Sequence, residues 1–165
     1  LRREFAYVIV DTPAALSESV LSIFDLSDKI VLLTTPDIPS LKNARLFFEI
    51  MDALDYGEDK TFFVLNRADK RGGISAADIE ESLKHTVAGQ VPADDRGVVL
   101  LSINQGVPLV MGDRSKPVAQ GIVELAQKLR SQLEATETEA VGAPAKEDKK
   151  PRTPPRSSRR ASSAP

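Results

Sequence analysis

Apolar runs closed by polar or proline-rich stretches set the rhythm of this chain. Tyr7-Val8-Ile9-Val10 leads into Asp11-Thr12-Pro13, and Ile30-Val31-Leu32-Leu33 into Thr34-Thr35-Pro36. Thr61-Phe62-Phe63-Val64-Leu65 leads into Asn66-Arg67, and a weaker run at 87–91 is closed by Pro92. Short continuous apolar runs with turn signals at their ends predict strands buried on both faces. Between them the apolar positions fall three and four apart. Leu16, Val20, Ile23 and Phe24 predict one amphipathic helix, and Leu41, Ala44, Met51 and Leu54 a second that starts at a Ser40 cap and stops near Tyr56-Gly57. Ser75 and Asp78 form a capping-box pair with Ile74 and Ile79 as a hydrophobic staple, which predicts a third helix to about Lys84. A helix-like segment covers 98–104, and Val118, Ile122, Leu125, Leu129 and Leu133 mark a last helix from Pro117.

Strand–helix alternation of this kind predicts an α/β class, a doubly wound, mostly parallel sheet. Residues 1–133 form the expected domain. From about Glu134 alanine, proline, serine, lysine and arginine take over, and residues 134–165 are expected to be a disordered basic tail.

Composition narrows the chemistry. The 165 residues include no cysteine and one histidine, His85, which excludes disulfide frameworks, thiolate metal sites and a Ser-His-Asp triad elsewhere in the chain. His85, just past a helix, is expected to face solvent, as are Lys42 and Arg45. No apolar run approaches a membrane span, and a cytoplasmic location is expected, with peripheral contact at the inner face of the membrane. The net charge of −2 is uneven: residues 144–165 hold seven Lys or Arg against two acids. That tail is a candidate for weak contact with anionic lipid or nucleic acid, and Arg159-Arg160-Ala161-Ser162 has the form of a basophilic kinase site.

In open parallel sheets ligands bind outside the carboxyl ends of the strands, where the polar stretches stand here. Asp11 is the first candidate, either as a carboxylate that holds Mg²⁺ through water or as the cap of the next helix. Asn66-Arg67-Ala68-Asp69 fits the guanine-reading N-[KR]-x-D pattern, yet Ala14 stands where GTPases want a glycine. Asn66 as a plain turn former is the competing account. Arg67, Lys70 and Arg71 are candidate phosphate or acidic-partner contacts, with a solvated loop as the alternative, and Gly72-Gly73 reads as a turn.

Together these residues resemble a family. Tyr7-Val8-Ile9-Val10-Asp11-Thr12-Pro13 is similar to the second nucleotide motif of the MinD/ParA class of P-loop ATPases. Thr34-Thr35-Pro36-Asp37, Leu65-Asn66-Arg67, Val91-Pro92-Ala93-Asp94 and Asn104-Gln105-Gly106-Val107-Pro108 are similar to its later strand ends and loops. The runs Thr34 to Arg45 and Asn66 to Gly73 most resemble the CpaE/TadZ branch, which serves pilus assembly and secretion. The resemblance covers roughly residues 5–133. It implies ATP and Mg²⁺ as ligands, an ATP-dependent homodimer, and pilus or secretion-machine proteins as partners. It implies Asp11 and Thr12 as catalytic residues, Asp11 at the metal, and Pro13, Asn66, Arg67, Pro92, Ala93 and Asp94 around the nucleotide. The departure is the lysine-bearing glycine-rich phosphate loop, which this chain lacks. With Leu1 in place of Met, the chain is expected to be the carboxyl-side part of such a protein. A non-catalytic assembly or localisation factor and a GTPase-like switch are the alternatives.

Overall fold

The computed structural model describes the backbone of residues 4–69 and 74–142, and side chains through Ala135. Its centre is a three-stranded parallel sheet in sequence order, β1 (Ile30–Thr34), β2 (Thr61–Ala68) and β3 (Gly89–Pro92). β1 and β2 pair without interruption from Ile30↔Thr61 to Thr34↔Leu65. β2 is the middle strand, and Phe62, Phe63, Val64 and Leu65 are buried in succession. That continuous run is what a strand covered on both faces requires.

Alternation along β2 splits these four residues between two layers. Phe63 and Leu65 join a core with α1 (Glu18–Leu26), α2 (Ile38–Ala53) and α3 (Ala76–Leu83). Aromatic edges knit it: Phe24 to Phe47, Phe47 to Phe48, and Phe48 to Phe63, with centroids 6.2, 5.6 and 5.3 Å apart. On the opposite face, α5 (Pro117–Gly142) packs against β3. Gly121 allows the close approach, since a Cβ there would stand 3.1 Å from the Gln90 carbonyl oxygen and from Pro92 Cδ. The helices therefore lie on both faces, as the pattern predicts. α4 (Val98–Gln105) follows β3, as expected from 98–104.

Several expectations are corrected. Tyr7-Val8-Ile9-Val10 is not a buried strand: it has no ladder, and all four residues are exposed, Ile9 to 94%. A strand exists only beside a partner that satisfies its backbone, and open space separates this stretch from β1. α1 begins at Glu18, later than Leu16, because Ser17 caps it by accepting from Val20 N at 3.4 Å. α2 begins earlier than expected. Asp37, not Ser40, is its cap, and Pro39 fits the first turn, where its missing N–H costs nothing. His85 does not simply face solvent; its ring stacks on Phe48 with centroids 3.6 Å apart. Arg45 is exposed as expected and also ties α2 to α3, its Nη2 donating to the Ser82 carbonyl at 3.2 Å and to Ser82 Oγ at 2.9 Å. The helix α5 continues to Gly142, past the expected boundary at 134. The Arg130–Glu134 pair at 2.7 Å, one turn apart, supports that extension. The capping box at Ser75 and Asp78 forms as expected. Lys70, Arg71 and Gly72-Gly73 lie outside the described residues, as does the tail from 143, with its basic cluster and Arg159-Arg160-Ala161-Ser162.

Candidate functional site

β1 has an open side. In parallel register its Val31 and Leu33 share the face of Phe62 and Val64, but no described residue covers them, and they are 46% and 61% exposed. A cleft of about 730 Å³ runs along this strand. It is bounded by residues 10–14 and residues 30–35, by Asn43, Leu46 and Ile50 on α2, and by Asn66 at the end of β2. Leu46 and Ile50 are themselves more than a third exposed. The cleft thus has two ends of different character. Val31, Leu33, Leu46 and Ile50 make an apolar length; Asp11, Thr12, Thr34, Thr35, Ser40, Asn43 and Asn66 make a polar end at the carboxyl edge of the sheet.

The polar end is built from local chemistry. Asp37 accepts from Ser40 N at 2.9 Å and from Ser40 Oγ at 3.0 Å, and the Thr35 hydroxyl joins both Asp37 and Ser40. The Thr35 hydroxyl, then the Ser40 donors, hold the Asp37 carboxyl below the usual carboxylate range. This knot fixes the turn from β1 into α2 and sets the first turn of α2 against the cleft. Asn43, one helical turn beyond Ser40, lines the same wall. Asn43 carried no distinct signal in the sequence beyond its three-residue spacing from Ser40.

β2 ends in a bulge. Leu65 faces Gln90 and Ala68 faces Pro92, so Asn66 and Arg67 stand against the single residue Val91. Arg67 takes a positive φ of 55°, rare for a side-chain-bearing residue, and its N–H donates to Asn66 Oδ1 at 3.0 Å. The bulge places Asn66 on the cleft, while the Arg67 side chain is exposed.

Of the candidate residues, the fold brings Asp11, Thr12, Pro13 and Asn66 to one cleft. Arg67, Pro92, Ala93 and Asp94 do not line it. Ala93 N donates to the Ala68 carbonyl at 3.0 Å, so this loop is tied to the end of β2. Asp94 accepts from the backbone N–H groups of Val99 at 2.7 Å and of Val98 and Arg96 at 3.2 Å. These bonds, Val99 first, depress its pKa, and its carboxylate is committed to the start of α4. Asp11 is exposed and does not cap α1, a place taken by Ser17.

A lone exposed carboxylate beside threonine hydroxyls fits Mg²⁺ held through water, because that ion keeps most of its waters and borrows ligands from phosphates. Among the described residues no group of three or more His, Cys, Asp or Glu could hold a metal by itself.

No protein-family model matches the chain. It is similar to the septum site-determining protein MinD of Thermotoga maritima, at 22% identity over 134 residues, 78% of this chain and 48% of that protein. It is 31% identical over 125 residues to an uncharacterized ATP-binding protein of Methanocaldococcus jannaschii, covering 74% of this chain and 45% of the relative. MinD in the MinC:MinD cell division complex of Aquifex aeolicus superposes with a TM-score of 0.68 at 25% identity, over 79% of this chain and 54% of that one. The chain shares its α/β fold and parallel sheet with MinD and ParA ATPase structures. A ParA family ATPase of Chlorobium tepidum shares the fold, with a TM-score of 0.68 at 21% identity. The chain spans about half the length of the relatives it matches. Among the described residues, no helix is long and apolar enough to cross a membrane.

Proposed function

We propose that this chain is the carboxyl-side part of an ATP-binding MinD/ParA-like ATPase that helps to position a larger cellular machine. The observation that carries this is the meeting of Asp11-Thr12-Pro13 and Asn66 on one cleft at the carboxyl edge of a parallel sheet. In this reading Asp11 holds Mg²⁺ through water and Thr12 and Pro13 respond to the terminal phosphate. Mg²⁺, when bound, neutralises charge that develops on the phosphate oxygens. Asn66 contacts the base. Arg67 and the Pro92-Ala93-Asp94 loop frame it, Asp94 by shaping the loop and not by its charge.

The apolar length of the cleft supports a further part of the proposal. A parallel strand with an open edge, an uncovered face and an apolar helix wall beside it suits one more strand–helix unit. In the complete protein that unit would fill the slot between residues 7–10 and β1, and its glycine-rich loop would supply the phosphate cradle. The coverage of only half the length of the relatives supports this.

The stretches Thr34 to Arg45 and Asn66 to Gly73 favour a pilus or secretion machine as the positioned object, with an ATP-dependent homodimer as the working form. The names of the relatives favour septum placement as the second reading. The complete protein, titrated with labelled ATP in the presence and absence of Mg²⁺ and competed with GTP, tests the nucleotide assignment. Phosphate release separates an ATPase from a non-catalytic factor, and a fluorescent fusion at the pilus base or at mid-cell separates the two machines. No Mg²⁺-dependent ATP binding by the complete protein would overturn the proposal.

A further inference from the structure

α4 turns apolar side chains outward. Val98, Val99 and Ser102 are half-buried and mark its inner side, whereas Leu100, Leu101 and Ile103 are more than half exposed. The turn that follows adds exposed Val107 and Met111, with the 3₁₀ turn Leu109–Met111 folded against the helix. Local bonds shape α4: Asp94 accepts from the N–H groups of Val98 and Val99, and Gly106 closes the helix at a positive φ of 64°. Yet no residue of α4 is buried among the described residues, and a helix of eight residues is marginal in water on its own. Five large apolar side chains facing water within twelve residues mark an interaction surface, and methionine is an adaptable side chain suited to one. The strand–helix unit proposed for the complete protein does not reach this face. That unit enters beside β1, whereas α4 leaves the sheet from β3, with β2 between them.

We propose that a second copy of this chain docks on the outward face of α4 and the turn after it, the two copies meeting face to face about a twofold axis. The inference rests on the homodimer reading above and deepens it by naming the surface. Charge favours this occupant. Asp94, Asp95 and Asp113 flank the apolar stretch together with Arg96, Arg114 and Lys116. In a twofold contact the same patch faces itself, so a rim of one sign would repel its own copy, and three acids balanced by three bases would not. The same balance disfavours an anionic membrane, which calls for a basic rim, and a partner of strong charge of either sign. An apolar centre inside a charged rim is also the ordinary anatomy of a protein interface.

Sedimentation equilibrium of the complete protein with ATP and Mg²⁺, over a series of concentrations, gives the dissociation constant of the dimer. Leu101→Glu places a charge on the apolar face and should weaken the dimer at least about tenfold, the effect of losing a central interface side chain. A cooperative denaturant melt shows that the variant is folded. Leu101→Gln, polar but uncharged, takes its place if the glutamate variant does not fold, and should weaken the dimer in the same direction. An unchanged dissociation constant in a folded variant would overturn this inference and leave the homodimer standing on another face. Failure of both variants to fold would show that the face is covered within one chain, and would overturn it too. Vesicles of phosphatidylserine and phosphatidylcholine supply a further arm: if Leu101→Glu loses vesicle binding while the dimer is unchanged, the face belongs to lipid and the inference falls. A complete protein that stays monomeric with ATP and Mg²⁺ would overturn both this inference and the homodimer reading.

Discussion

At the scale of single residues, the carboxylates divide by what holds them. Asp37, Asp94 and Asp113 are all pulled below the ordinary 3.8, by the Thr35 hydroxyl, the Val99 N–H and the Ser115 hydroxyl respectively, Asp113 to about 2. A depressed folded pKa stabilises the fold above the unfolded value and loses that contribution as pH falls through the folded one. The melting temperature should therefore hold above about pH 4 and fall progressively towards pH 2. Asp94→Asn, which keeps one acceptor oxygen for the start of α4 and cannot titrate, should lower the plateau and flatten that fall; an unchanged slope in a thermal-melt series would show that Asp94 contributes nothing to it. Asp11 has a different task. Under the proposed function its carboxylate would act on the ion and the reacting phosphate, whereas the base contact and phosphate loop would supply much of the ground-state grip. In the complete protein Asp11→Asn should cut phosphate release at least tenfold, on the order expected for loss of one electrostatic contact, and should change ATP affinity less. Normal hydrolysis by the variant would remove Asp11 from the site.

At the scale of elements, what was legible in the sequence was what local interactions decide. The capping box at Ser75 and Asp78 is complete within four residues and forms as read. The apolar runs of β1 and β2 predict strands because these strands have neighbours to bury them. Tyr7-Val8-Ile9-Val10 has the same composition and fails, because a strand is made by its partner and the cleft stands where one would be. The polar end of that cleft was legible through Asp11 and Asn66 but not through Asn43, whose position depends on how α2 leaves β1. The Asp37 cap was hidden by Ser40, an equally good cap residue three positions on. The contact of α5 with β3 was hidden too, since it turns on a glycine inside an otherwise ordinary helix. Gly121→Ala tests that contact. Its Cβ would press on the Gln90 carbonyl, Pro92 Cδ and Val91 Cα at 3.1–3.4 Å, mostly backbone that cannot turn aside. The substitution should cost about 1–3 kcal/mol, the usual range for overpacking, despite the better helix propensity of alanine. A melt that matches or exceeds the parent would mean that α5 can lift from β3 at little cost.

At the scale of the whole molecule, the open side of β1 governs behaviour. An uncovered parallel edge with apolar residues beside it is a template for association. The 165-residue chain alone should therefore associate and be poorly soluble, and it should bind neither ATP nor Mg²⁺ with specificity, for want of a phosphate cradle. Leu33 separates this account from general instability. It is 61% exposed on the uncovered face of β1, while its strand neighbours Leu32 and Thr34 turn towards α2. In the chain alone Leu33→Lys removes no core contact and places a charge on the open face, a change that discourages edge association. Solubility should rise and the melting temperature should stay within a few degrees. In the complete protein, where the proposed strand–helix unit covers that face, the same lysine would be buried without a partner, and stability should fall by several kcal/mol. Opposite signs in the two contexts, measured by sedimentation for the chain and by denaturant melts for both, would establish that the slot is filled in the complete protein. A harmless Leu33→Lys in both would show that the face stays open to water, and the proposed strand would have to be placed elsewhere.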